Sequence, residues 1–393
     1  MKIAIVVHGR FHAFDLAREL IGLGHDVLLL TNYPRRWPEK FGVPAQNVRS
    51  LVAHGIVSRA ALALGKAAGT EKLGEAFLHQ WFGKWAAQVI ARNPVDASHN
   101  FSGIAEEILS CRRPRQTIRS IVRGSSHIVL QKQILQEEQK RTGLDPGGPS
   151  AWMVKREIRE YQLADLVITL SQWCRESFLH RGMSPEKVIV IRSGNQLAKF
   201  QPSPESVRQR LERIRNGWPL RVVTTGSISL RKGLWDALQV FENAPAGCEF
   251  TWVGEVHPQV RDLLKRKNTR CRLVDRVPQF ELKKFYADAD MFMTLSLEEG
   301  YASVIGQALA SGLPVLATQH AGVDHIQEGQ TGWIIPIRRP DLAVERLRWA
   351  ADHREELGRI ARQSSQNPSV KDWRQTAVKL VEAYEHFKKK KKK

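Results

Sequence analysis

Along the chain, apolar runs short enough to be strands alternate with stretches in which apolar positions recur every three or four residues. Residues 2–7 are apolar after Lys2, a turn follows at Gly9, residues 14–21 carry a helical pattern, and a second apolar run fills 27–30 after Gly24-His25-Asp26. Strand, helix, strand in that order predicts a parallel pair whose two faces both need cover. The pattern returns at 166–170 and 188–191, with a helical stretch between them, and breaks at Gly194-Asn195. It restarts with apolar runs at 220–225, 250–253, 291–295 and 314–317, each followed by a helical pattern. Such repeated alternation predicts an α/β protein built from two Rossmann-like, doubly wound domains.

The periodicity lapses over 195–204, where Pro202 and Pro204 stand close together, so the linker is placed there. The expected organisation is a first domain at 1–197, a second at 198–370, a helix at 371–387 crossing back to the first domain, and a lysine tail at 388–393. A length of 393 residues suits two domains, and 42% hydrophobic with 25% charged residues is the composition of a folded protein. No stretch approaches the roughly 18 apolar residues of a membrane span. The apolar opening is too short for a signal peptide, so Met1 reads as the mature start. Cys111, Cys174, Cys248 and Cys271 show neither C-x-x-C nor zinc-finger spacing, which suits a reducing cytoplasm.

Charge adds a partner to this picture. The formal net charge is +20, and Lys388 to Lys393 supply six positive charges in one block, readable as a tag, a solvated tail, or a tether to lipid or nucleic acid. Residues 1–195 hold 27 basic against 17 acidic side chains, whereas 196–387 hold 27 against 23, so an anionic partner is expected on the first half. Residues 56–92 mix apolar and basic groups around Trp81 and Trp85. That segment reads either as an amphipathic helix docked on the sheet or as a surface lying on an anionic membrane. Arg112, Arg113 and Arg115 add a further basic cluster.

The densest chemistry lies at 296–314, where Glu299 ends an apolar run, Gly300 makes a turn, a helix begins, and Gln307 follows eight positions after Glu299. A helix start offers free N–H groups and the positive end of its dipole, so a diphosphate fits over 301–304. Glu299 would face a sugar and Gln307 a ribose. A second constellation, Thr225-Gly226-Ser227 followed by Arg231-Lys232-Gly233, pairs a glycine after a strand with adjacent cations. Close approach to a phosphate needs the first, and neutralising a departing diphosphate needs the second. Asp288-Ala289-Asp290 has the D-x-D spacing of a metal site but runs straight into the apolar stretch 291–295, so it reads as a helix end and the start of a strand. Neither a metal nor a cofactor is expected.

Together these segments resemble glycosyltransferase family 4, the retaining enzymes of GT-B fold. MKIAIVVHGRFHAFDLARELIGLGHDVLLLTN looks like the family's opening strand and glycine loop, ADLVITLSQWCRESFLHRG its exit from the first domain, and YADADMFMTLSLEEGYASVIGQALASGLPVLAT its donor segment. The resemblance implies metal-independent transfer, with retained configuration, from a nucleotide-diphosphate sugar on the second domain to a glycan, lipid-linked or other hydroxyl acceptor on the first. It implies catalytic roles for Glu299, Lys232, Arg231 and His127, the last as a cleft histidine, although a loop histidine capping the next helix reads equally well. Donor contacts fall on Gly226, Ser227, Arg276, Val277, Gly300, Tyr301, Ala302, Ser303 and Gln307. Ser227 and Gln307 depart from the family's arginine and second glutamate. Acceptor-side positions are Gly9, Arg10, His12, Arg123 and Ser125. The setting implied is bacterial cell-surface polysaccharide or glycolipid synthesis, in the cytoplasm or peripheral on the inner face of the membrane. Rival readings are a GT-B epimerase or phosphorylase and a basic, non-catalytic nucleic-acid binder. A nicotinamide oxidoreductase lacks its G-x-G-x-x-G in both halves.

Overall fold

The computed structural model describes residues 1–393 apart from 68–71, 73, 112–116, 218, 268, 367–371 and 393. The basic cluster of Arg112, Arg113 and Arg115 lies outside the described residues. Two parallel sheets organise the chain. The first contains β1 (Lys2–Val7), β2 (Asp26–Thr31), β3 (Val48–Ser50), β4 (Ala97–Phe101), β5 (Ile118–Arg123), β6 (Leu166–Thr169) and β7 (Val188–Val190), in the order β3-β2-β1-β4-β5-β6-β7. The second contains β8 (Leu220–Thr225), β9 (Cys248–Val253), β10 (Cys271–Val274), β11 (Met291–Thr294), β12 (Val315–Thr318) and β13 (Gly332–Ile335), in the order β10-β9-β8-β11-β12-β13.

Helices cover both faces, which is why β1 is continuously apolar and buried from Ile3 to Val7 rather than alternating. Each sheet reverses its winding beside its first strand, between β1 and β4 and between β8 and β11. Loops diverge at such a reversal and leave a crevice beyond the carboxyl ends of the strands. Both crevices open toward the same interdomain space.

Two crossings join the domains. Residues 193–196 run outward, and Trp373–Lys392 returns as a helix onto the first domain. Asn195 bridges to Asp372, and a Cβ on Gly194 would lie 2.5 Å from the Trp373 Cα, so only glycine lets the two strands of the junction pass. The returning helix is held by the buried Tyr384, whose hydroxyl lies 2.6 Å from Ser120 Oγ and 3.1 Å from His99 Nδ1. The lysine run expected as a free tail instead prolongs this helix to Lys392, and Lys388 Nζ lies 3.0 Å from Asp96 Oδ1. Lysine is a good helix former, and cations at a helix C-terminus complement its dipole.

The segment around Trp81 and Trp85 forms part of the helix Glu75–Arg92, which docks through Phe82, Ala86 and Ile90. Trp85 packs against the core of the first domain. The apolar surface left in solvent lies mainly on the preceding helix, Val52–Ala67, at Ile56, Val57, Leu62 and Leu64, and continues onto Phe77. Among the described residues no helix is long and apolar enough to cross a membrane.

Candidate active site

The space between the sheets is a cavity of about 530 Å³. Its second-domain wall starts where β8 ends. Gly226 (φ 122°) turns the chain, Leu230–Lys232 forms one 3-10 turn, and Gly233 (φ 80°) closes it. A Cβ on Gly233 would sit 2.0 Å from the Leu295 carbonyl oxygen, so glycine lets this turn press against the end of β11. That pressing brings the cations to the loop after β11. Lys232 Nζ pairs with Glu299 Oε2, and Arg231 Nη1 lies 3.8 Å from the same oxygen. Burial alone would push the Glu299 carboxyl up; Lys232 and Arg231 outweigh it and hold the pKa below the ordinary carboxylate value.

The helix Ser303–Ala310 follows, its first residue exposed to the cavity. One turn along, Gln307 is buried; its Oε1 accepts from the Tyr286 hydroxyl at 3.0 Å, and that hydroxyl lies 2.8 Å from Thr225 Oγ1. Glu299, Ser303 and Gln307 therefore share the cavity wall with Arg231. Gly300 and Tyr301 serve the domain junction as well. A Cβ on Gly300 would lie 2.1 Å from the Gly124 carbonyl oxygen of the first domain. The Tyr301 hydroxyl sits 2.7 Å from Asn195 Nδ2 and 2.7 Å from His325 Nε2, and the Ala302 N–H donates to the Ala321 carbonyl. Gly226 gives its carbonyl to Trp252 Nε1 at 3.0 Å, behind the wall, with Ser227 beside it. Arg276 and Val277 follow β10 outside the cavity lining, whereas Gln279, two residues on, reaches it.

The first-domain wall is made by the segments that follow β1, β4, β5, β6 and β7, and contains His8, Arg10, Phe11, His12, Asp15, Ser102, Arg123 and Ser125. Gly9 (φ 119°) bends the first loop, and its carbonyl accepts from Thr31 Oγ1 at 2.9 Å. Phe11 is 66% exposed with φ 40°, a conformation unusual for a non-glycine residue and frequent at functional sites. Arg10 stacks 3.8 Å over the Phe41 ring, and its guanidinium lies 3.8 Å from Asp15. Burial pushes the His12 imidazole down to about 4 against the pull of Asp15. Burial, with His79 and His54 close by, takes His8 down to about 3. Both rings are neutral at pH 7 and present one donor and one acceptor nitrogen each.

His127 is not brought to the cavity. It caps the helix Ile128–Thr142, its Nδ1 accepting from the Val129 N–H at 3.3 Å, and its ring packs among Tyr161 and Phe178. Burial, with Arg181 and Arg123, lowers it to about 4, so the helix-capping reading of this histidine is the one realised. The D-x-D carboxylates stand at the opposite end of β11. Asp288 meets Arg221 at 2.6 Å; the buried Asp290 accepts from the Arg221 N–H at 3.0 Å and pairs with Arg213 at 3.2 Å.

Sequence reasoning missed His8 and Phe11, which stand in the same loop as Arg10, and Gln279. It also missed Glu298, buried beside Glu299 and bonded to Ser126 and Gln131 of the first domain. The signal for Glu298 was the doubled acid itself.

Two family models match the chain: Glycosyltransferase Family 4 over residues 10–198 and Glycosyl transferases group 1 over residues 219–353. The amylovoran biosynthesis glycosyltransferase AmsK of Erwinia amylovora is 27% identical over 186 residues, covering 44% of this chain and 44% of its own length. The sulfoquinovosyl transferase SQD2 of Arabidopsis thaliana is 26% identical over 237 residues, covering 58% of this chain and 46% of its own. The alignments thus span about half the length of the curated relatives. Among solved structures, HepE of Anabaena in complex with UDP superposes with TM-score 0.67 at 15% identity over 98% of this chain and 100% of that one. Sucrose-phosphate synthase of Thermosynechococcus elongatus gives TM-score 0.71 at 18% identity, with 98% of each chain covered.

Proposed function

Because the chain belongs to glycosyltransferase family 4, with the GT-B fold, we propose that it moves a sugar from a nucleoside diphosphate donor to a hydroxyl acceptor with retention of configuration. The observation that carries this reading is the convergence of Arg231, Glu299, Ser303 and Gln307 on one wall of the cavity, with Lys232 paired to Glu299 behind them. The UDP and UDP-glucose complexes of HepE support a nucleotide sugar as the donor class. The diphosphate lies over the start of the helix Ser303–Ala310 and draws Lys232 and Arg231 from their carboxylate partner. Glu299 then faces the sugar, and Gln307 the ribose.

In the reaction the bond from C1 to the diphosphate oxygen breaks, and its electron pair leaves with the phosphate. The acceptor oxygen forms its bond to C1 from the same face, and its proton passes to the departing phosphate. The fixed cations and helix N–H groups stabilise charge where it develops, without reorganising during the step. This needs no cofactor and no metal in the proposed scheme; the engagement of Asp288 and Asp290 by Arg221 and Arg213, away from the cavity, supports leaving them out of it.

The acceptor is a glycan or a lipid-linked sugar met by the first domain, in polysaccharide synthesis of the kind for which AmsK is named. The exposed apolar face of Val52–Ala67 supports a peripheral hold on an anionic membrane. Its neighbourhood is basic, since residues 35–92 contain nine Lys and Arg against three Glu. The deciding experiment is a panel of UDP-, GDP-, ADP- and dTDP-sugars tested for thermal stabilisation and then for transfer. A donor at 100 times its dissociation constant is expected to add about 2.7 kcal/mol. Failure of every nucleotide sugar to stabilise the protein would remove the reading.

A further inference from the structure

A continuous path of polar contacts links the two walls of the cavity, and its middle residues, Gln131 and Glu298, are ones that the transfer chemistry leaves unused. Glu298 is wholly buried, yet most of its carboxylate partners belong to the other domain. Its Oε1 accepts from the N–H and the hydroxyl of Ser126, each at 2.9 Å, and its Oε2 accepts from Gln131 Nε2 at 2.9 Å and Ser125 Oγ at 3.4 Å. Gln131 is fixed in turn by Arg123, whose Nη2 donates to Oε1 at 2.7 Å, while Arg123 Nη1 holds Glu157 at 3.1 Å. In the second domain, Arg231 Nη1 donates to the Glu298 carbonyl at 3.1 Å and lies 3.6 Å from its carboxylate. The order is Arg123, Gln131, Glu298, Arg231, Glu299, Lys232.

A desolvated carboxylate needs its hydrogen-bond partners, and here they come chiefly from the facing domain. Separation of the domains would strip Glu298 of Ser125, Ser126 and Gln131 and leave its carboxylate to water and to Arg231, pulling that guanidinium toward Glu298. Closure returns the first-domain donors and leaves Arg231 on the Glu298 carbonyl, facing Glu299. We propose that Glu298 is a positioning residue that couples domain closure to the placement of Arg231 and Glu299 on the donor wall, with Gln131 as its counterpart. This rests on the transfer reading above and adds to it a reason why the donor site is complete only when the first domain is docked. Closed and open states biased by contacts of this kind are the usual means by which two-domain enzymes assemble a site.

The test is an exchange of the two partners. Gln131→Glu places a second carboxylate against Glu298, and Glu298→Gln removes the charge that Ser126 and Gln131 hold. In the exchanged double variant, the carboxylate moved to position 131 still accepts from Arg123, and the amide moved to position 298 supplies it with an N–H. Each single variant is expected to lower kcat for hydrolysis of the donor that stabilises the wild type by roughly tenfold, within the usual range of coupling between sites. Donor KM stays within about threefold, and the exchanged pair recovers most of the loss, a non-additivity expected only of residues in contact. Small-angle scattering of the unliganded protein supplies a readout free of activity: the Gln131→Glu variant is more extended than the wild type, and the exchanged pair is compact again. Additive losses in a folded double variant, or singles with unchanged kcat and dimensions, would overturn the coupling. A wild type that binds no nucleotide sugar would sink the transfer reading instead, and the scattering series would still decide whether Glu298 holds the domains together.

Discussion

The two walls of the cavity are built on opposite physical plans. The second-domain wall is ionic: Arg231, Lys232 and Glu299 neutralise one another, held in place by Gly233 against the end of β11. The first-domain wall sets aromatic rings among charges already paired: His8 and His12 are uncharged at pH 7, Phe11 stacks on Phe101 at 5.6 Å, Arg10 lies beside Asp15, and Arg123 is held by Glu157. A charged, short-spaced wall suits a ligand group of fixed chemistry, such as a diphosphate. Neutral rings gathered on the loop after β1 and at the end of β4 suit hydroxyls and sugar faces, where shape decides more than charge. The domain that presents this wall also carries the larger surplus of basic residues in sequence. Among the described residues of that domain, Arg10 and Arg123 are the basic ones that line the cavity, so much of the surplus lies off the reaction space and points to a surface rather than to a substrate pocket.

The contrast fails most visibly if the ionic wall can be dismantled without consequence. Lys232→Ala and Glu299→Ala are each expected to lower kcat by roughly 10²–10³, the loss typical of a preorganised group that acts on developing charge. Removing the lysine leaves Glu299 facing Arg231 alone, so donor affinity falls in that variant as well. Steady-state kinetics beside thermal melts separate this from unfolding, since Lys232 ends a single 3-10 turn and Glu299 sits in a loop. Near-wild-type turnover in both would misplace the donor site.

How much of this was legible follows the same division. The strands read from sequence were chiefly the continuously apolar ones, such as β1 from Ile3 to Val7 and β11 from Met291 to Met293, because burial on both faces leaves no polar alternation to confuse them. β4 reads Ala-Ser-His-Asn-Phe and was missed as a strand; its polar side chains are buried among partners from neighbouring elements, as where Asn100 Nδ2 donates to the Ser120 carbonyl at 2.8 Å. β3, β10 and β13 are short, at three or four residues each. In the site, charge and spacing led to Arg231, Lys232, Glu299 and Gln307. His8 and Phe11 carry no such spacing. Glu298 depends on Ser126 and Gln131, more than 160 positions away in the chain, so its role exists only once the domains are docked.

The neutral histidines of the first domain sharpen the comparison through pH. His127 titrates near 6.5 in an unfolded chain but near 4 when buried. Between those values the unfolded state binds the proton and the folded state does not, so stability is full above about pH 6.5 and falls as pH drops toward 4. The slope from one such group is at most about 1.4 kcal/mol per pH unit. His127→Asn keeps a side chain able to cap the helix and removes the titration. Melting temperature followed from pH 7 to pH 5 is expected to fall less steeply in this variant than in the wild type. An unchanged slope would mean that the His127 ring is not neutral in the folded protein.

The smallest expected effect concerns the basic face itself. Ile56 and Leu64 are 61% and 63% exposed on the helix Val52–Ala67, with Phe77 at 63% beyond it, an apolar surface that water should not favour. Arg59 lies on the same helix, which carries no acidic residue. Insertion of such a face into a lipid interface buries apolar area, while nearby cations meet anionic headgroups for about 1 kcal/mol each, an attraction that salt screens over roughly 8 Å. The two contributions separate by design. Replacing Ile56 and Leu64 together by serine removes only the apolar one and is expected to weaken binding to anionic vesicles by roughly fivefold, or about 1 kcal/mol. Raising salt removes only the ionic one. Ending the chain at Phe387 takes the lysine run out of the comparison, so any remaining preference for anionic over neutral vesicles belongs to the first domain. If that shortened protein binds both vesicles equally weakly, and the serine pair changes nothing, the exposed helix faces something other than lipid and the surplus charge of the first domain needs a different partner.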